Sequence, residues 1–216
     1  MELGIPQGSP ISPVLSVIYS ADVIRHVRDD PDLVTNIGIP LLPRSYVDDF
    51  TILSISNSLS DNTQILKKGL ERTLSKLKDV GMTIDPDKLD LMHFTRKTKV
   101  DLPSIPYTVD GKEGIISPKK VMRWLGIYFD RRLTFREHIK IVSNRSCSII
   151  NGIRCLSNTV RGMSQSHLRL LYKTCVVPVM SYASPVWFRT DQQQKHIIKT
   201  LNATQNLALR MISGGF

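Results

Sequence analysis

The sequence contains few cysteines, few aromatic residues and no long apolar run. Its three cysteines, Cys147, Cys155 and Cys175, are too few and too far apart for a zinc site, and we predict that they are buried thiols in helices. No apolar run approaches the roughly 20 residues that span a bilayer, and no secretory signal pattern is visible. We therefore expect an intracellular protein, nuclear or cytoplasmic, that makes no membrane contact.

Acidic residues are scarce relative to basic ones: 19 Asp and Glu stand against 29 Lys and Arg, which gives a formal net charge of +10. Residues 119–173 hold 12 of the basic residues and two acids, so this segment alone accounts for the excess. Such clustering is typical of proteins that bind a phosphate backbone, although a solvated helical face produces the same pattern. The aromatic residues interleaved with it are expected mostly in the core: Trp124, Tyr128, Phe129 and Phe135.

Local signals predict two helices in the first 80 residues. The first helix has Ser12 as its cap and Pro13 at its first position, and it runs to about Arg28. The second begins at residues 60–61, carries leucines at spacings of four, four and three, and ends before Gly81 in the C′ position.

Short strands are predicted after the second helix, with a hairpin turn at Asp110 and Gly111. Thr134 and Glu137 form a capping-box pattern for a long helix that ends near Leu156. Two more helices, broken around Pro178 and Pro185, are predicted over residues 164–177 and 191–213. Strands and helices therefore mix early in the chain, while the last eighty or so residues are nearly all helical.

Two adjacent acids, Asp48 and Asp49, stand between strand-like segments at residues 44–47 and 50–55. Successive side chains of a strand face opposite ways, so both carboxylates can address one side only if the pair occupies the turn. A divalent cation held by oxygen ligands relieves the repulsion between neighbouring carboxylates. A polar hairpin tip is the alternative, and residues 29–30 form a second Asp-Asp pair in what reads as a solvated loop.

The order of several motifs carries a family resemblance. Residues 4–13 read GIPQGSPISP and residues 46–49 read YVDD. Together they resemble the reverse transcriptases of non-LTR (LINE-type) retrotransposons, whose palm carries a G-x-P-Q-G-S-P-x-S-P segment followed by an aromatic-x-Asp-Asp turn. Further segments are similar, in family order, to the lysine-bearing loop, the LG-containing segment and the thumb: residues 81–94, 124–138, 171–187 and 204–210. The departures are small, among them Ser16 in place of a common Phe and Val47 in place of a frequent Ala.

The resemblance implies an α+β fold. Residues 1–132 would form an incomplete polymerase palm, with helices packed on an antiparallel sheet, and residues 133–216 a helical thumb-like region. It also implies template-directed DNA synthesis. The intact enzyme would add dNTPs to a DNA primer on an RNA template, and two Mg²⁺ ions would catalyse the addition.

Residue roles follow from the same resemblance. Asp48 is the first choice of catalytic metal ligand, and Asp49 the less secure second. Lys88 would reach the pyrophosphate, although a surface salt bridge with Asp85 or Asp87 is the open alternative. The pocket for the nucleotide and the template base would be lined by Gly4, Pro6, Gln7, Gly8, Ser9, Pro10 and Tyr46.

Two further sets of residues would hold the nucleic acid. The primer grip would comprise Trp124, Leu125 and Gly126. Contacts to the nucleic-acid backbone, salt-dependent and largely independent of sequence, would come from Lys119, Lys120, Arg123, Arg131, Arg132, Arg136, Lys140 and Arg145.

One part of the family's site has no counterpart in the sequence. The family needs another aspartate from a strand before the G-x-P-Q-G segment, and only Met1, Glu2 and Leu3 precede Gly4. We therefore expect this chain to be inactive alone and to require a missing amino-terminal fingers and palm portion. Two alternatives stay open: a non-catalytic remnant that binds RNA or an RNA–DNA hybrid through residues 119–173, and a marginally folded product that exposes the apolar residues Val47, Ile52 and Leu53.

Overall fold

The computed structural model describes residues 10–47, 49–109, 111–157, 162–189 and 194–214. They form two compact units: the first contains the described residues up to His93 together with Lys97–Lys119, and the second contains Phe94–Arg96 and the chain from Lys120 onward. Helices and small antiparallel sheets are mixed, so the predicted α+β class is confirmed. The palm–thumb boundary at 132/133 stays a prediction. Among the described residues no helix is long and apolar enough to cross a membrane.

Two long helices build the first unit, as predicted. Helix α1 spans Ser12–Arg28 and helix α2 spans Leu59–Asp79. The predicted cap at Ser12 is wrong, because the helix begins at that residue and Ile11 occupies the N-cap position. Gly81 follows α2 with φ +73°, the left-handed conformation that ends helices at C′.

The strands of the first unit form two antiparallel hairpins. Strand β1, Leu42–Tyr46, pairs with β2, Asp49–Leu53, and β3, Ile105–Val109, pairs with β4, Lys112–Ile116. Val109 lies opposite Lys112, and Gly111 lies in the turn between the two strands as predicted, while Asp110 lies outside the described residues. Together with a third hairpin in the second unit, the described strands make three separate two-stranded ladders instead of the single sheet expected.

Two apolar clusters hold the first unit together. One consists of Val27, Leu33, Leu41 and Ile65, and the other of Leu91, Ile105 and Ile116. Of the three residues predicted to expose an apolar face, only Leu53 is classed as exposed, and Val47 and Ile52 are half-buried. Several exposed apolar residues lie on α1, among them Val14, Val17, Ile18 and Tyr19, and Ile55 and Ile115 are exposed elsewhere in the unit.

The second unit starts with the hairpin of β5, Val121–Trp124, and β6, Ile127–Asp130. It continues as helices α3, Arg136–Arg154; α4, Gln165–Leu171; a π-helical stretch, Tyr172–Val176; α5, Val177–Ser181; α6, Ser184–Trp187; and α7, Lys195–Ser213. The helical path persists through Pro178, and the predicted break comes at Tyr182 and Ala183 instead.

The core of the second unit has two clusters. The first is Ile127, Phe135, Ile139, Trp187 and Ile197, and the second is Ile150, Ile153, Leu168, Val176 and Ala208. Helices α3 and α7 are also joined by a 2.6 Å hydrogen bond between the hydroxyls of Ser143 and Thr204. The prediction of buried thiols is wrong for Cys155 and Cys175, which are exposed, while Cys147 is partly buried.

The turn before α3 is organised by Asp130, so the predicted capping box is wrong. The helix has Phe135 at its N-cap position with φ +56° and no side-chain cap. The Asp130 carboxylate instead accepts hydrogen bonds from the backbone N–H groups of Arg132, Thr134 and Phe135 at 3.1, 3.1 and 2.6 Å, and from the Thr134 hydroxyl at 3.2 Å. One carboxylate thus satisfies four donors of the turn, three backbone N–H groups and one hydroxyl.

Replacing Asp130 by alanine is expected to destabilise the protein by about 2–3 kcal/mol, because hydrogen bonds to a charged group each contribute on the order of 1.5–3 kcal/mol and the donors lose their partner. Urea denaturation followed by circular dichroism measures the change. Asp101→Ala, in an exposed loop, is the matched control. A loss for Asp130→Ala no larger than for the control contradicts this account of the turn.

Candidate active site and nucleic-acid interface

The β1–β2 hairpin carries the YVDD segment. Tyr46 lies directly opposite Asp49, Val47 lies in the turn, and Asp49 is the first residue of β2. The prediction that Asp49 occupies the turn is therefore wrong. Cross-strand partners share one face of a hairpin, which places the exposed Asp49 and Tyr46 side by side. Asp48 lies outside the described residues.

The backbone of Val47 is strained and held in place. Its φ of +56° is unusual for a β-branched residue and costs on the order of 1–3 kcal/mol. The Val47 carbonyl accepts hydrogen bonds from the hydroxyls of Ser16 at 3.0 Å and Ser45 at 3.3 Å. Because Ser16 belongs to α1, it ties the helix to the turn that carries the acids. In the sequence Ser16 stands out only as a departure from the family and as a polar residue within an apolar run.

The described residues supply only part of a metal site. Carboxylate oxygens are the ligands that Mg²⁺ takes, and Asp49 offers them at an exposed position. None of the ion pairs found within the described part of the chain involves Asp49. No group of three or more His, Cys, Asp or Glu side chains comes together within the described part of the chain. The donor chemistry therefore fits Mg²⁺, while the described ligands alone do not complete a site.

Lys88 forms the surface salt bridge that sequence analysis left as the alternative. It ends a short 3₁₀ turn, Pro86–Lys88, and its Nζ lies 3.6 Å from Asp85 Oδ2 with the lysine side chain 82% exposed. The Asp85 carboxylate also accepts a hydrogen bond from the Asp87 backbone N–H at 3.2 Å. An exposed pair of this kind contributes only about 0–1 kcal/mol, so the ammonium is free to exchange partners.

The remaining pocket residues have little described structure. Pro10 is exposed in the turn before α1. Five others lie outside the described residues: Gly4, Pro6, Gln7, Gly8 and Ser9.

The predicted primer grip forms the tip of the β5–β6 hairpin. Trp124 pairs with Ile127, and the two-residue turn between them, hereafter the 125–126 turn, has φ +46° at Leu125 and +80° at Gly126. Positive φ at both central residues is typical of the tightest hairpin turns. The Trp124 ring lies 6.2 Å from Phe129, centroid to centroid, and its indole N–H is buried without a hydrogen-bond partner.

Two arginines of the second unit contact Tyr128. The Arg123 guanidinium carbon lies 6.0 Å from the centre of the Tyr128 ring, and Arg145 Nη2 donates to the Tyr128 hydroxyl at 3.4 Å. Six of the predicted backbone contacts are exposed with no ion pair recorded among the described residues: Lys120, Arg123, Arg132, Arg136, Lys140 and Arg145. Lys119 differs, since it forms a salt bridge with Asp90 in the first unit. Arg131 is half-buried.

His138 is fully buried beneath this surface. It lies on α3, where its Nδ1 accepts the Tyr128 backbone N–H at 3.4 Å, and its ring centre is 5.8 Å from that of Trp187. Burial lowers the pKa of His138 below its ordinary value, and the positive charge of Arg145 lowers it further. The ring is therefore held neutral at physiological pH.

We expect the free energy of unfolding to fall as the pH drops below about 6.5, because the unfolded state then binds a proton that the folded state excludes. A single such group gives a slope of at most about 1.4 kcal/mol per pH unit. Denaturation of the wild type and of His138→Gln between pH 7.5 and pH 5, about one unit or more on either side of the ordinary histidine pKa, measures the effect, which the variant should lack. His167→Gln, at an exposed position of α4, should keep the wild-type slope. If the free energy of unfolding changes equally with pH in the wild type and in His138→Gln, His138 is not the cause of the pH dependence.

Comparison with known proteins places these features in a family. The sequence model described as reverse transcriptase (RNA-dependent DNA polymerase) matches residues 1–129. The chain is 27% identical to the probable RNA-directed DNA polymerase from transposon BS of Drosophila melanogaster over 217 residues, which cover 99% of this chain and 22% of that protein. It is also 27% identical to the RNA-directed DNA polymerase from mobile element jockey of Drosophila funebris over 215 residues, with the same coverage. The chain thus spans about a fifth of the length of these curated relatives. No solved structure matches it.

Proposed function

Because the chain belongs to the reverse transcriptase (RNA-dependent DNA polymerase) family of non-LTR retrotransposons, we propose that it forms the palm-and-thumb portion of such a polymerase. The reaction is the addition of dNTPs to a DNA primer on an RNA template. The observation that carries the proposal is the β1–β2 hairpin, in which exposed Tyr46 and Asp49 sit side by side at a strained turn. This hairpin lies inside the segment that the family model matches.

The residues around the hairpin have distinct tasks in this proposal. Asp48 and Asp49 would hold Mg²⁺, which neutralises charge on the transferred phosphate and lowers the pKa of the primer hydroxyl. Ser16 fixes the turn through the Val47 carbonyl. Tyr46, 64% exposed, offers a ring face to the primer–template. Residues 4–10 would line the nucleotide pocket.

Two other parts of the chain complete the proposal. Lys88 leaves its exposed salt bridge with Asp85 and binds the departing pyrophosphate, because the pyrophosphate carries more negative charge than the Asp85 carboxylate. The 125–126 turn, with Trp124, seats the primer end.

We propose further that the 216-residue chain alone does not extend primers. The described residues bring no three potential ligands together, and two-metal catalysis of phosphoryl transfer depends on full charge neutralisation. Primer extension on an RNA template tests the function: the chain is assayed alone and fused behind the upstream polymerase segment of the jockey element. We expect synthesis from the fusion only. Extension by the isolated chain contradicts the inactivity, and an inactive fusion that binds primer–template contradicts the catalytic role.

A second candidate is a non-catalytic module that binds RNA or an RNA–DNA hybrid. It is supported by the six exposed basic side chains without a recorded ion pair, two of which contact Tyr128. Binding without extension by the fusion favours this candidate over the polymerase.

A further inference from the structure

Tyr182 contacts the 125–126 turn from a distant part of the sequence. It follows α5, and its hydroxyl donates a 3.0 Å hydrogen bond to the carbonyl of Leu125. A Cβ atom placed on Gly126 would lie 3.1 Å from Cε1 and 3.3 Å from the hydroxyl oxygen of Tyr182. The tyrosine therefore supports one turn residue with its hydroxyl and lies closely against the other with its ring.

The backbone of Tyr182 is anchored in the core. Its carbonyl accepts a 2.8 Å hydrogen bond from Trp187 Nε1, and Trp187 is 3% exposed within the cluster that contains Ile127 and Phe135. The next residue, Ala183, has φ +51°, which fixes the direction of the chain at this point. The Tyr182 side chain is nevertheless 52% exposed, so burial does not account for its placement.

The 125–126 turn requires such support. A non-glycine residue at positive φ is strained, and Leu125 has φ +46°. The Tyr182 hydrogen bond restrains the carbonyl of that residue. The turn is thereby connected to the core by a continuous path from Leu125 through Tyr182 to Trp187.

We propose that Tyr182 is a positioning residue that holds the 125–126 turn where it seats the 3′ end of a nucleic-acid primer. The inference rests on the proposed function, which assigns the primer end to Trp124, Leu125 and Gly126. Tyr182 acts through the Leu125 carbonyl and the Gly126 backbone.

The 216-residue chain is titrated with an RNA–DNA primer–template that carries 2-aminopurine at the primer 3′ end and a dye at the far end. Dye anisotropy gives the Kd, and 2-aminopurine emission reports the environment of the primer end. For Tyr182→Phe we expect a Kd within about twofold of the wild type, because phosphate contacts are unchanged, and a loss of roughly half or more of the 2-aminopurine response. Tyr172→Phe, in the same unit, removes a hydroxyl that contacts no turn and should behave as the wild type.

A wild-type 2-aminopurine response in Tyr182→Phe overturns the inference. Duplex binding by the wild type without any response at the primer end also overturns it, and leaves nucleic-acid binding standing. Absence of binding overturns the proposed function together with it.

A stability measurement tests the support itself without nucleic acid. Gly126→Ala should lower Tm less in a Tyr182→Ala background than in the wild type, because the added Cβ then meets no ring. Equal losses in both backgrounds would show that the ring does not hold the turn, and the inference fails.

Discussion

Replacing Asp48 by asparagine is expected to reduce primer extension by the jockey-segment fusion by at least about 1,000-fold, because transition-state electrostatics contribute several kcal/mol. Asparagine keeps the size of the side chain and removes the charge that holds a divalent cation. The rate of dNTP addition to a primer on an RNA template is the measurement. Asp49→Asn should reduce the rate less, because Asp49 lies in strand β2 beyond the turn and would support the site more than bind the ion.

The matched control for Asp48→Asn is Asp29→Asn. Residues 29 and 30 are the other pair of adjacent aspartates in the chain, and Asp29 pairs at the surface with Arg28 at 2.8 Å. Its loss should leave extension within about twofold of the wild type, since exposed pairs contribute about 0–1 kcal/mol to stability and take no part in the chemistry. Full primer extension by Asp48→Asn, or an equal loss of extension in Asp29→Asn, would contradict a catalytic role of the YVDD segment.

The sequence correctly predicted those elements whose ends are determined by residues nearby in the chain. The leucine spacing and Gly81 defined α2, and Gly111 lies in the β3–β4 turn as predicted. In each case the residues that decide the structure lie within a few positions of it.

Features that depend on distant residues were missed. Asp49 begins strand β2 instead of lying in the turn, and Val47 adopts positive φ with its carbonyl bound by a hydroxyl 31 residues away on α1. The start of α3 was a local exception: the donors predicted to be satisfied by a capping box at Thr134 and Glu137 are instead bound by Asp130, five residues before Phe135. Which face of a helix meets the core is likewise decided by its packing partners, and for this reason the exposure of Cys155 and Cys175 was not foreseen.

The affinity of the chain for an RNA–DNA hybrid is expected to fall by about 1,000-fold between 50 and 200 mM salt. This is the change expected of a protein that makes about six phosphate contacts. The estimate rests on the six exposed basic side chains without a recorded ion pair. The double variant Arg123→Gln/Arg145→Gln should reduce the slope of log Kd against log salt by about two contacts. Fluorescence anisotropy at four salt concentrations within that range, on hybrids of two unrelated sequences, measures both quantities.

The control for this double variant removes the same charge elsewhere. Lys67→Gln/Lys68→Gln alters two exposed lysines of α2 in the first unit and should leave the salt slope unchanged. A flat salt response of the wild type eliminates phosphate contacts, and an equal loss in the control means that net charge, not the surface around Tyr128, governs binding. Because Asp48→Asn removes no positive charge, its hybrid affinity should not fall. The two variants therefore separate the candidate functions. In a polymerase, Asp48→Asn abolishes DNA synthesis but leaves the affinity for the duplex unchanged. In a binding module, only the arginine substitutions have an effect.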